Sequence, residues 1–401
     1  MKSRKITMMV FAVFMFAPII FASDLEISGY YENTLQGDYT DDNSEAILDA
    51  SKLRLDFSSG GGKNELQFKG NINFIANHGP VSRDISPFLP ATVTDSLDSM
   101  GLPVMISFPG ERIFLDNAYL TWRHGSSRIR VGRQQLSWGT GYIFNPTDLF
   151  HSKNILDPTY EKEGVTAIRG DYYWGVGGQL SLITTTDDSF EDAGYALRAG
   201  THLSSIGYDI AVTLHQITDS TAIEIASMET DSGTIDYPQV LHQQRRAIGF
   251  EASGEFFGPG VWFEGNYNKM ETEDDFIRAV AGIDYTLDNG TYLMLEGLYN
   301  GRGKWEDPYP VTGWLENIMF GEPISQLMLF SGIRHDLTDL LMGSLYVIGG
   351  SDGAVVLNPR LDYSLAQNAD LIVFGGVTFG KEESQFPPGL YSLIARATVY
   401  F

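Results

Sequence analysis

Apolar and polar residues alternate with a period of two along most of this chain. Near its end, Leu393, Ala395, Ala397, Val399 and Phe401 fall on one face, and Ser392, Arg396, Thr398 and Tyr400 on the other. Earlier, Leu53, Leu55 and Phe57 alternate with Lys52, Arg54, Asp56 and Ser58. Leu66, Phe68, Ile72 and Phe74 likewise alternate with Gln67, Lys69, Asn71 and Asn73. A period of two means β-strands with one apolar and one polar face. Read with its turn punctuation, the chain predicts about eighteen strands.

The connections also alternate. Even-numbered ones are tight, as at His124-Gly125-Ser126, Trp174-Gly175 and Leu287-Asp288-Asn289-Gly290. Odd-numbered ones are long or acidic: the first carries Asp38, Asp41, Asp42 and Glu45, and others run from Asn77 to Glu111, from Ile217 to Gln243 and from Gly301 to Ser325. Only Ser351-Asp352-Gly353 breaks the rule by being short. A soluble sandwich gives no reason for such alternation, whereas outer-membrane barrels pair short periplasmic turns with long extracellular loops. The last strand, ending on Phe401, resembles the closing strand of bacterial outer-membrane β-barrels, which implies delivery to the barrel-assembly machinery. The expected fold is all-β: one transmembrane antiparallel β-barrel over residues 24–401.

The first residues support export. Met1-Lys2-Ser3-Arg4-Lys5 is basic, Met8 to Phe21 is almost wholly apolar, and Ala22-Ser23 precedes the first acid, Asp24. This pattern predicts a signal peptide over residues 1–23 rather than a retained anchor. With no Cys, disulfides and thiolate metal sites are excluded. A formal charge of −24 argues against nucleic acid as a partner and suits an exterior facing lipid and lipopolysaccharide through divalent cations.

If the polar faces point inward, the lumen is charged and hydrated. Strands two to eight contribute a basic wall of Lys52, Arg54, Lys69, Arg123, Arg128, Arg130, Arg169 and Arg198. Strands nine to thirteen contribute an acidic wall of Asp209, Glu251, Glu255, Glu264, Asp284 and Glu296. Facing walls of opposite sign orient a charged solute in transit, while ion pairs that merely brace the barrel are the competing use.

The third outer connection opens with Gly132-Arg133-Gln134-Gln135-Leu136-Ser137-Trp138-Gly139-Thr140-Gly141-Tyr142 and runs on through Phe144, Asp148, Phe150 and His151. This Gly-Arg-Gln…Trp-Gly stretch resembles poorly characterised porin-like families linked to organic solutes. The resemblance is close only over strand five and this loop, and implies a loop folded inward to narrow the channel. Trp138, Tyr142, Phe144 and Phe150 then form an apolar constriction with Arg133, Asp148 and His151 as polar contacts; packing of these rings against the wall is the plainer alternative.

The acidic outer stretches lack the spacing of an EF-hand, so no metal and no cofactor is expected. Neither Gly-x-Ser-x-Gly nor His-Glu-x-x-His occurs, which leaves an outer-membrane hydrolase as the weakest reading. The expected function is a passive channel for small amphipathic or anionic organic solutes. A barrel sheathing a partner protein is the main alternative. A homotrimer is compatible with the sequence but not signalled by it.

Overall fold

The computed structural model describes residues 25–41, 45–60, 66–79, 82–107, 110–150, 161–187, 190, 192–230, 233–305 and 308–401. Alternating strands join into one antiparallel sheet of eighteen strands that closes on itself. The first six are β1 (Leu25–Thr40), β2 (Glu45–Gly60), β3 (Leu66–His78), β4 (Glu111–Phe114 continued by Ala118–His124), β5 (Ser127–Gln134) and β6 (Val165–Trp174). Then come β7 (Gly178–Thr186), β8 (Ala193–Leu203), β9 (Tyr208–Thr230), β10 (Gly233–Glu255), β11 (Gly260–Met270) and β12 (Phe276–Thr286). The last six are β13 (Tyr292–Asn300), β14 (Leu327–Thr338), β15 (Leu341–Gly350), β16 (Val355–Ala366), β17 (Ala369–Phe379) and β18 (Leu390–Tyr400). Both segments of β4 pair with β3, and together they form one strand.

Closure joins β1 to β18, from Tyr30 opposite Tyr400 to Thr40 opposite Leu390. Phe401 extends the seam by exchanging two backbone hydrogen bonds of 3.0 Å with Gly29. No edge remains, so backbone groups are satisfied between strands, as a bilayer requires. The apolar face expected to meet lipid is outward and exposed, including Ile129, Ile168, Leu182, Leu214, Ile248, Leu295 and Leu329. So wide an apolar exterior is stable only against lipid. The protein is an outer-membrane β-barrel.

Two expectations about connections are corrected. The first outer connection is not a long acidic loop: Asp38 lies in β1 opposite Ala46, and Tyr39 pairs with Glu45. Nor is Ile217 to Gln243 a loop. β9 and β10 continue as a paired ribbon from Ala222 opposite Leu241 to Thr230 opposite Gly233, beyond a register shift between Asp219 and Ala222. Standing clear of the bilayer, this ribbon has no lipid face and so no apolar alternation to read.

The two proline-rich outer segments do carry structure. The β3–β4 segment forms helix α1 (Ala91–Ser99) and a small hairpin pairing Ser82–Asp84 with Met105–Ser107. The β13–β14 segment forms helix α2 (Val311–Phe320), entered from Pro310 and stopped by Gly321 at φ 71, where a side chain would be strained. Val93 and Leu97 of α1 pack against Tyr309, Trp314 and Ile324. The two segments thus form one cover over the outer end of the barrel.

Candidate functional site

The β5–β6 connection folds into the lumen. Its first turn packs Leu136 and Trp138 against Ala167, Ile183 and Ala196 on the inner faces of β6 to β8. The Trp138 ring meets Phe150 at 5.5 Å and His215 at 5.2 Å, both edge-on. Further on, Ile143 and Phe144 enter an apolar patch made by Val280, Met294, Leu298, Met328, Phe330, Ile348 and Val356. Each such burial stabilises the docked loop by about 1.5–3 kcal/mol.

That patch corrects the expectation of a uniformly polar interior. On β13, Leu293, Leu295 and Tyr299 face lipid while Met294 and Leu298 face the loop. On β14, Leu327 and Leu329 face lipid while Met328 and Phe330 face the loop. This part of the lumen is a packed core because the loop fills it.

Three members of the expected acidic wall hold the loop in place. Glu296 on β13 accepts the backbone N–H groups of Tyr142 at 2.6 Å and of Ile143 and Phe144 at 2.8 Å, plus the Trp262 Nε1–H at 2.6 Å. Glu264 on β11 accepts the N–H groups of Thr140, of Gly141 at 3.0 Å and of Thr147 at 3.3 Å. Glu251 on β10 accepts the Thr147 hydroxyl at 3.2 Å and pairs with Arg198 at 2.8 Å. All three are buried, at 0–1 % exposure, so they do not front open water. A carboxylate surrounded by N–H donors is a strong fixed anchor. Gly139, at φ 96, and Gly141 are required here: a Cβ on Gly141 would stand 1.9 Å from the Phe144 carbonyl oxygen.

The loop's return is tied to the basic wall. Lys162 meets Asp148 at 2.6 Å. Glu161 bridges Lys52 at 2.9 Å and Arg54 at 2.6 Å, and accepts the Tyr30 hydroxyl at 3.1 Å. Burial pushes the Glu161 carboxyl up, but Lys52, Arg54 and Tyr30 together outweigh it and hold the group below the usual carboxylate range. Gly164 donates its N–H to Asp116, between the two segments of β4, at 2.7 Å. Neither Glu161 nor Lys162 was marked by sequence, because nothing in a loop's composition says which wall it will touch.

The rest of the basic wall divides by its partners. Arg128 and Arg169 both meet the buried Asp171, at 2.8 and 2.9 Å. Arg123 bonds Gln67 at 3.2 Å on the inner rim. Lys69 and Arg130 make no ion pair among the described residues; Arg130 lies over the Tyr119 ring at 4.6 Å and its Nε has no hydrogen-bond partner. With Arg54, Asn71, Asn117, Tyr119 and the carboxylates Glu26 and Asp56 they line a cavity of about 510 Å³ on the periplasmic side of the loop. A second cavity, about 790 Å³, lies on the outer side, between Ile143–Phe150, β9, β10, β12 and the end of α2.

Asp209, Glu255 and Asp284 lie at the periplasmic ends of β9, β10 and β12, away from the loop, with Asp284 accepting the Tyr292 hydroxyl at 2.7 Å. Trp138 and Phe144 are buried against the wall, while Tyr142 and Phe150 are half-buried. Arg133 is the penultimate residue of β5, just past Gly132, whose φ is 124. His151 lies outside the described residues.

No family model and no curated protein matches the sequence. Solved structures do. OccAB1 of Acinetobacter baumannii aligns over 94% of this chain and 96% of its own, at 9% identity and TM-score 0.59. OccAB2 of the same organism aligns over 94% and 98%, at 10% identity and TM-score 0.58. OprD from Pseudomonas aeruginosa aligns over 94% of each chain, at 7% identity and TM-score 0.56. At these identities the likeness is one of fold: this chain has the eighteen-strand barrel of those outer-membrane proteins.

Proposed function

We propose that this protein is a non-enzymatic outer-membrane channel for small organic solutes, with a preference for anions set by the basic wall. One observation carries the preference. Most cations of that wall are neutralised by Glu161, Asp171 or Glu251, but Lys69 and Arg130 line the inner cavity with no carboxylate partner among the described residues. Uncompensated positive charge in a low-dielectric passage concentrates anions and lowers their barrier. The loop sets the cross-section, since it packs into the lumen against β6 to β8 and against β12 to β16. In this reading Phe401 serves as the assembly signal.

The test is single-channel conductance of the refolded mature protein in a planar bilayer, with the reversal potential measured under a salt gradient. Stepwise conductance with anion preference, reduced in Lys69→Ala plus Arg130→Ala, supports the reading. A folded, heat-modifiable barrel without conductance would move the weight to a sheath around a partner protein.

A further inference from the structure

The outer cavity has a chemistry different from the inner one. Its floor is Phe144, Leu149 and Phe150 of the loop, and Met319 and Phe320 of α2 and Phe386 close its sides. Two arginines stand on its barrel wall, and each already has a carboxylate. Arg278 pairs with Glu322 and donates to Asn300 at 3.0 Å. Arg245 pairs with Asp219 at 3.1 Å and donates through Nε to Asn268 at 2.9 Å. Asp148, the remaining carboxylate on the wall, is held by Lys162. Each charge is therefore ion-paired in this cavity, whereas in the inner cavity Lys69 and Arg130 make no ion pair among the described residues.

What is unmatched is a hydrogen-bond donor. Arg245 is only 4 % exposed, and its Nη2 has no hydrogen-bond partner among the described residues. A guanidinium offers five N–H groups and needs acceptors for those removed from water. A largely apolar cavity of this volume falls in the range of small-molecule sites, which join apolar walls to a few placed polar groups.

We propose that the outer cavity is a capture site for a solute moiety with an apolar, ring-sized body and an uncharged oxygen acceptor of the amide or ester carbonyl class. Arg245 is its recognition residue, and Phe150 and Phe320 hold the body. A full anion is not the preferred occupant here, because Asp219, Glu322 and Asp148 share the wall and no cation is left without its counter-charge. The site goes beyond the anion preference of the inner wall: it selects the body of the solute before the constriction is reached.

The test uses benzamide as probe, with acetamide (same acceptor, no ring) and benzoate (same ring, charged head), titrated calorimetrically into the refolded full-length barrel in detergent. Binding is read whether or not the barrel conducts, so failure of the channel reading and of this one remain distinguishable. Benzamide is expected to bind about tenfold more tightly than either analogue. Phe320→Ala, on the exposed end of α2, should weaken benzamide about fivefold or more without disturbing the barrel. Arg245→Met with Asp219→Leu, which removes the pair together, should weaken it similarly. Unchanged benzamide affinity in Phe320→Ala, benzoate binding as tightly as benzamide, or no benzamide binding to heat-modifiable protein would each overturn the proposal.

Discussion

Glu296 accepts the Tyr142 amide N–H at 2.6 Å, and its other oxygen takes the next two amides of the loop at 2.8 Å. One strand carboxylate thus organises three consecutive residues of a segment that has no secondary structure of its own. Replacing Glu296 with Ala leaves three loop amides and the Trp262 indole N–H unmatched, at roughly 1–3 kcal/mol for each donor that stays buried. The barrel hydrogen bonds are untouched, so Glu296→Ala should remain heat-modifiable. Its loop should undock, giving larger and noisier unit conductance and faster protease cleavage between residues 135 and 150.

Gly141 offers a stricter check on the same docking. Its Cβ position is blocked by the Phe144 carbonyl oxygen, part of the loop backbone itself. Gly141→Ala should therefore alter the loop as Glu296→Ala does, despite adding only one methyl group. Gly110→Ala, where a Cβ meets nothing within 4 Å, is the matched control and should leave conductance unchanged.

Strand order and closure were legible because lipid imposes a strict period of two and the outer-membrane setting imposes alternating loop lengths. The loop was legible as a motif, but its anchors were misassigned: Glu251, Glu264 and Glu296 read as an acidic wall because sequence shows which face a carboxylate occupies, not what later covers it. The inner apolar patch stayed hidden for a related reason. In β13 and β14 both faces are apolar, so Met294, Leu298, Met328 and Phe330 look like noise in the alternation rather than a second, loop-facing surface.

Arg128 and Arg130 illustrate the same limit on charge. Sequence places them on one face two residues apart, as equivalent rungs. In the barrel Arg128 meets Asp171 at 2.8 Å, whereas Arg130 makes no ion pair among the described residues. Arg130→Ala should consequently lower anion preference more than Arg128→Ala, with the reversal potential under a salt gradient as the readout. Equal shifts would mean that net wall charge, not the uncompensated cation, sets selectivity.

The short β15–β16 connection acquires a reason. Asp352 accepts the Tyr309 hydroxyl at 2.9 Å and the backbone N–H groups of Gln385 at 2.6 Å and Ala354 at 3.0 Å. A longer β15–β16 loop would occupy the place where the cover formed by α1 and α2 sits down. Asp352→Ala should free the α2 segment, raising proteolysis between residues 301 and 326 by about tenfold or more with the barrel intact. Tyr309→Phe, which removes the hydroxyl's hydrogen bonds to Asp352 and Ser325 at about 1 kcal/mol each, should do so more weakly.

Glu161 predicts how the loop responds to pH. Its folded carboxyl titrates below the ordinary value of 4.5, because Lys52, Arg54 and Tyr30 outweigh its burial. A depressed folded value means that the latch contributes its full stability above the unfolded value and loses it as pH falls through the folded one. The contribution of Glu161 to loop docking should therefore be constant from about pH 5 upward and fall only under more acidic conditions. Glu161→Gln removes the ionisable latch while keeping its size, so the variant should resemble acidified wild type at neutral pH. An acid step of equal size in wild type and Glu161→Gln would place the pH response elsewhere in the lumen.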